Sequence, residues 1–363
     1  MKTKKTPLFE QHNKLGAKCA PFGGWLMPIQ YEGIISEHQW TRNNCSVFDI
    51  CHMGEFLIKA DALPSKLDKI LTQNLVNMPL KTCRYGFMLN DNAGIIDDVI
   101  IYRIEQDKWM LVVNAATSSA DFEHLEKNLA KDNVKIEDIS NTLAKLDLQG
   151  PLSRDVLVEI AGEGILKLDY YTFDYFKVLG ENIIISRTGY TGELGFELYI
   201  SNDKVIALWN LLLKNKTVKP AGLGARDTLR LEVCYPLYGQ DINSTTTPLE
   251  AGLAGFVDMN KDFSGKKALG KKQEQGLVKK LCCFETDSRR APRHDYEIFS
   301  NNRKVGVVTS GSYSPSLGCG IGMGYIETQF SDIGTEIILQ HENVKINAKV
   351  VKRPFYKKGS LRI

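Results

Sequence analysis

Two adjacent acids open the chemistry of this chain. In Gly94-Ile95-Ile96-Asp97-Asp98-Val99-Ile100-Ile101-Tyr102 they interrupt an otherwise apolar run. Written as a strand, the segment places Ile96, Asp98, Ile100 and Tyr102 on one face and Ile95, Asp97, Val99 and Ile101 on the other. Each Asp then has apolar neighbours on its own face. A carboxylate there is costly unless it is hydrogen-bonded or its pKa rises. A raised pKa suits a general base or a group that positions a proton. The plainer alternative puts both acids at the wet start of the strand.

A second segment is Ser186-Arg187-Thr188-Gly189-Tyr190-Thr191-Gly192-Glu193-Leu194-Gly195-Phe196-Glu197-Leu198. Its three glycines suggest unusual dihedrals or a close approach to the backbone. In the strand that follows, Phe196 and Leu198 share one face, Glu197 and Tyr199 the other. Glu197 could accept two parallel N–H donors from a heterocycle, or could simply be an exposed strand residue. A third segment, Pro220 to Arg230, begins like a dinucleotide fingerprint but has Asp227 where the third glycine belongs, and no clear strand feeds it. The nucleotide reading is rejected. Near a helix N-terminus Arg226 favours an anion or a carbonyl. The alternative is a surface Asp227–Arg230 pair of little worth. Adjacent Cys51 and His52 rarely meet in catalytic geometry. Thr309 to Ser316 is hydroxyl-rich, which also suits a plain turn.

The elements that must hold these residues follow from periodicity. A hairpin runs from Ile95 to Ile104 and back from Trp109 to Asn114. A helix starts near Thr117 or Ser118, either of which could cap it. Strands are expected at Val134–Ile139, Leu143–Gln149, Ile183–Ser186 and Phe196–Ile200, and helices at Ser153–Ala161, Val205–Leu213 and from Gly224 onward. From Val278 to Lys352 short alternating runs read as a small all-β barrel or sandwich. A boundary is expected between about residues 252 and 278. Sequence-neighbouring strands favour α+β with antiparallel sheets over a doubly wound parallel sheet.

Composition narrows the classes further. The chain has 363 residues, which calls for more than one domain. Its net charge of +3 gives no electrostatic footprint for nucleic acid. No apolar run approaches the length of a membrane helix, and the basic N-terminus is not followed by a signal-peptide core. The expectation is a cytoplasmic protein. The eight cysteines form no C-x-x-C pair and the histidines are scattered, so no metal is expected and the thiols read as reduced and mostly buried.

With these residues in view, the chain resembles the T-protein of the glycine cleavage system, the aminomethyltransferase family. The resemblance spans nearly the whole chain. It runs through Phe22-Gly23-Gly24-Trp25 with Met27-Pro28, Val47 to Glu55, Val112 to Ala116, Gln149-Gly150-Pro151, the Arg187 to Glu197 loop, Gly222 to Arg226, Tyr238-Gly239-Gln240-Asp241, Asp262 to Lys266, Thr309-Ser310-Gly311 and Pro354-Phe355.

The resemblance implies a three-domain cloverleaf: residues 1–50 with 143–252 as a discontinuous first domain, 51–142 inserted into it, and 253–363 as linker and C-terminal β-barrel. It implies tetrahydrofolate as co-substrate and a lipoyl-carrying H-protein as partner, with a monomer expected. The implied reaction moves the methylene carbon from an S-aminomethyl-dihydrolipoyl arm to the folate, with ammonia released. The family's catalytic aspartate falls at Asp98, its pterin-binding glutamate at Glu197 and a folate-site arginine at Arg226. Tyr85, Asn114 and Tyr190 match folate-lining positions, Met53 lies nearby, and Arg293 could meet the glutamyl tail or the lipoyl arm. Two departures stand out: Cys51, where the family often has Ser, and Lys81-Thr82-Cys83-Arg84 ahead of Tyr85. The alternatives are a sibling folate-dependent transferase or demethylase, and a non-catalytic folate binder.

Overall fold

The computed structural model describes residues 3–61, 65–130 and 134–361. Three larger sheets carry the architecture. The first has six strands in the order Phe173–Val178, Glu181–Ser186, Gly195–Ser201, Leu143–Gln149, Cys45–Asp49 and Val218–Pro220. Only its last pairing is parallel. Ala144, Leu146, Leu148, Phe196, Leu198 and Ile200 point to one side, where the helices Ser153–Ala161 and Val205–Leu213 cover them. That apolar layer includes fully buried Trp209 and anchors the sheet.

The second sheet orders Cys83–Leu89, Ile95–Arg103, Lys108–Val113, Gly54–Lys59 and Lys135–Asp138, all antiparallel. The expected hairpin is there, flanked on both sides by strands the periodicity had not marked. Val99 and Ile101 pack with Leu125 and Leu129 of the helix Ser118–Leu129. Neither expected cap forms: the Thr117 hydroxyl donates back to the Asn114 carbonyl.

The third sheet closes into a barrel: Lys279–Thr286, Gly320–Glu327, Arg303–Tyr313, Glu297–Ser300, Glu336–His341 and Val344–Val351. Adjacent Cys282 and Cys283 face opposite ways into two separate cores. The hydroxyl-rich segment is not a plain turn. Most of it belongs to the Arg303–Tyr313 strand, which is irregular between Val308 and Ser310. That irregularity turns the Thr309 hydroxyl onto the Asp241 carboxylate.

A further core forms where the first two sheets face each other. Tyr102, Met110, Val112 and Cys83 from one meet Phe173 and Tyr199 from the other. The functional candidates sit along this seam.

Candidate active site

Asp97 and Asp98 occupy opposite faces of the Ile95–Arg103 strand, and neither is at a wet end. Asp97 is fully buried on the face of Val99 and Ile101. Asp98 is half-buried on the face of Tyr102. The Tyr85 hydroxyl donates to Asp98 Oδ2 at 2.8 Å. Asn114 serves both acids: its side-chain amide donates at 2.8 Å to Asp98 Oδ1 and at 2.8 Å to Asp97 Oδ1, while its backbone N–H reaches Asp97 Oδ2. Burial pushes Asp98 up to about 7, and the neighbouring Asp97 carboxylate adds to that against the pull of its two donors. The ring of Tyr85 is held edge-on by Phe87 and Phe256.

Glu197 lies on the inward face of the six-stranded sheet, beside Tyr199 as its alternation predicts, and is only 6% exposed. Its Oε2 receives the Thr188 hydroxyl at 2.8 Å and those of Tyr102 and Tyr199 at 3.3 Å each. Lys145 stands 3.4 Å from Oε1. Burial alone would raise this carboxyl, but Lys145, Thr188 and Arg226 outweigh it and hold Glu197 below the usual range. With three hydroxyls already on Oε2, Oε1 is the edge with accepting capacity left.

The anion favoured by Arg226 is the protein's own Asp147, with which it forms a close ion pair. Asp147 sits directly across the strand pair from Glu197. Burial pushes it up to about 6, against the opposing effect of Arg226. The Arg226 guanidinium also lies 5.0 Å from the centre of the Tyr190 ring. The Tyr190 hydroxyl donates to the Pro236 carbonyl at 2.5 Å and lies within electrostatic reach of Arg230, Asp98 and Arg226.

Two observations tie the ends together. Asp98 and Tyr102 share one face of one strand, about 13 Å apart along it. The hydroxyl of that same Tyr102 contacts Glu197.

Two family models match: the GCVT N-terminal domain over residues 8–261 and the glycine cleavage T-protein C-terminal barrel domain over 279–357. The chain belongs to the glycine cleavage T-protein family. An aminomethyltransferase of Caldanaerobacter subterraneus is 43% identical over 98% of this chain and 96% of that protein. One of Halothermothrix orenii is 45% identical over 97% and 99%. The crystal structure of glycine cleavage system aminomethyltransferase T from Bartonella henselae superposes with a TM-score of 0.92 at 34% identity, covering 98% of this chain and 99% of that one.

Of the residues expected from resemblance to the T-protein family, seven fall on this seam or its rim. Tyr85, Asn114 and Asp98 form one end, Glu197, Arg226 and Tyr190 the other, and Met53 contacts Lys145 between them through its sulfur at 3.7 Å. Arg293 is exposed on the loop before the Glu297–Ser300 strand, next to His294, which bonds the Thr309 carbonyl, and it makes none of these contacts among the described residues.

Sequence reasoning missed Lys145, Asp147 and Gln149, which line the inward face of the Leu143–Gln149 strand. It also missed buried Glu55, pushed up to about 8 by desolvation against the pull of Lys145, with Oε1 lacking a hydrogen-bond partner among the described residues. The glycine-rich loop does permit a close approach, but by Gln149: a Cβ at Gly189 or Gly195 would overlap its amide. The expected surface Asp227–Arg230 pair is only half right. Arg230 is buried and also holds Asp241 at 2.8 Å and the Ser310 hydroxyl at 2.9 Å, tying the Leu223–Glu232 helix to the barrel.

Proposed function

We propose that this protein catalyses the aminomethyltransferase step of glycine cleavage. The donor is an S-aminomethyl-dihydrolipoyl arm on an H-protein and the acceptor is tetrahydrofolate. Ammonia leaves and 5,10-methylenetetrahydrofolate forms. Family membership supports the reaction class. The observation that carries the site is Tyr102, which shares a strand face with Asp98 and a hydrogen bond with Glu197.

In this reading Glu197 grips the pterin edge. That edge offers an amino group and a ring N–H side by side, and a carboxylate held ionised by Lys145 accepts them well. Arg226, Tyr190, Tyr85, Asn114 and Met53 line the folate. Asp98, divided between its two forms near neutrality, exchanges a hydrogen bond or a proton with folate N10. Holding two large substrates together accounts for most of the acceleration. Arg293 is available to the glutamyl tail or the lipoyl arm. The same reading divides the chain into residues 1–50 with 143–252, 51–142 and 253–363.

The test is incubation with tetrahydrofolate and aminomethylated lipoyl H-protein, measuring ammonia and methylenetetrahydrofolate. Both products should form with that donor and neither with a methylated sulfonium compound. The opposite pattern would move the protein to a sibling folate-dependent transferase.

A further inference from the structure

Behind Asp98 lies a second acid that the reaction does not touch. Asp121, in the first turn of the Ser118–Leu129 helix, is fully buried, as is Asp97 on the strand it faces. The two carboxyls are in hydrogen-bond contact with each other. If both were ionised, Asp121 would have within reach only the Thr117 hydroxyl, which also donates to the Asn114 carbonyl, among the described residues. A single proton between them satisfies both groups, as in other carboxyl pairs that cannot ionise together.

We propose that Asp121 and Asp97 form a carboxylic acid–carboxylate pair holding one proton, and that Asn114 passes its charge state to Asp98. Asp121 is then a positioning residue for the proton work of the site. The inference rests on the role proposed for Asp98.

One Asn114 amide bridges Asp97 and Asp98 at 2.8 Å each, and its backbone N–H fixes the other oxygen of Asp97. The helix start favours the negative charge on Asp121. The proton therefore rests mainly on Asp97, next to Asp98. The other groups facing the three acids are neutral at pH 7: the hydroxyls of Thr117, Tyr85, Tyr190 and Tyr238, and the Asn114 amide. Among the described residues no Lys or Arg forms an ion pair with Asp97, Asp98 or Asp121. The charge left on the pair is thus the nearest one to Asp98, and moving it by one side chain changes what Asp98 feels.

The experiment titrates Asp98 directly in the free protein. Its carboxyl carbon-13 resonance is identified by its loss in Asp98→Asn. In Asp121→Asn the new amide donates to Asp97, which then ionises beside Asp98, and the Asp98 midpoint should rise by about one pH unit. In Asp97→Asn the charge stays on Asp121, where it already rests, and the midpoint should hold. The acid limb of the kcat profile should follow the midpoint in each variant while KM for tetrahydrofolate holds. A rise in Asp121→Asn with no movement in Asp97→Asn supports the pair. An unmoved midpoint in both variants overturns it, as does movement in the same direction, which general loosening would give. Should Asp97→Asn not fold, the Asp121→Asn titration alone decides. Unchanged product formation by Asp98→Asn would instead strike the proposed role of Asp98, and the titration would still read the pair.

Discussion

Asp98 and Glu197 belong to the same chemical class, sit on strands of facing sheets and are both withdrawn from water, yet their surroundings drive them apart. Asp98 has a second acid for its sequence neighbour and only neutral donors, Tyr85 and Asn114, so it titrates near neutrality. Glu197 has Lys145, Arg226 and a set of hydroxyls, so it stays ionised. The contrast separates two jobs. A carboxyl poised between forms can move a proton. One locked in a single form can only hold a partner, and holds it at every working pH.

Substitution should expose the asymmetry. The largest effect is expected in Asp98→Asn, where turnover should fall by about 10²–10⁴-fold with folate binding retained; equal loss of both would merge the two jobs. Next is Glu197→Ala, which should weaken folate binding by about 1.5–3 kcal/mol in a titration, the usual worth of hydrogen bonds to a charged group. Unaltered binding would remove the glutamate from the pterin. Lys145→Met tests what keeps Glu197 ionised. Without the ammonium the glutamate becomes easier to protonate, so folate affinity should weaken as the pH drops toward 5, a dependence the parent lacks above that value.

The smallest expected effect is on stability. A carboxyl raised to about 7 in the folded protein holds its proton there after the unfolded chain has released it. Its stabilising contribution is complete below the unfolded value and is lost as the pH climbs to about 7. At pH 8 Asp98→Asn should therefore melt ~2–4 °C above the parent, and it should gain nothing at pH 4. Turnover by the parent should follow the opposite course, rising with pH through about 7 as the base form of Asp98 accumulates. A flat profile over pH 6–8 would deny Asp98 a proton-transfer role.

Local alternation made much of this legible. It separated Asp97 from Asp98 and paired Glu197 with Tyr199, because a strand dictates which side chains share a side. It could not say what that side meets. Lys145, Asp147 and Gln149 repeat at every second position as a solvated face would, but a second sheet lies over them, and nothing within the strand's own text reveals it. Arg230 shows the same limit. Its partner Asp227 is visible one turn away, whereas Asp241 is 11 and Ser310 80 residues further along the chain. The family resemblance chose a role for Asp98, Glu197 and Arg226 where the local pattern left alternatives open. It also named Arg293, which is exposed and makes none of the seam contacts among the described residues.

The slot for Gln149 carries a consequence for how such a sequence can drift. Its amide is pinned by the Thr191 hydroxyl, the Asp147 carboxylate and the Thr188 carbonyl, so it cannot swing aside for a newcomer. Any methyl group arriving at 189 or 195 must be accompanied by a shorter side chain at 149, and the three positions are bound to change as a set or not at all.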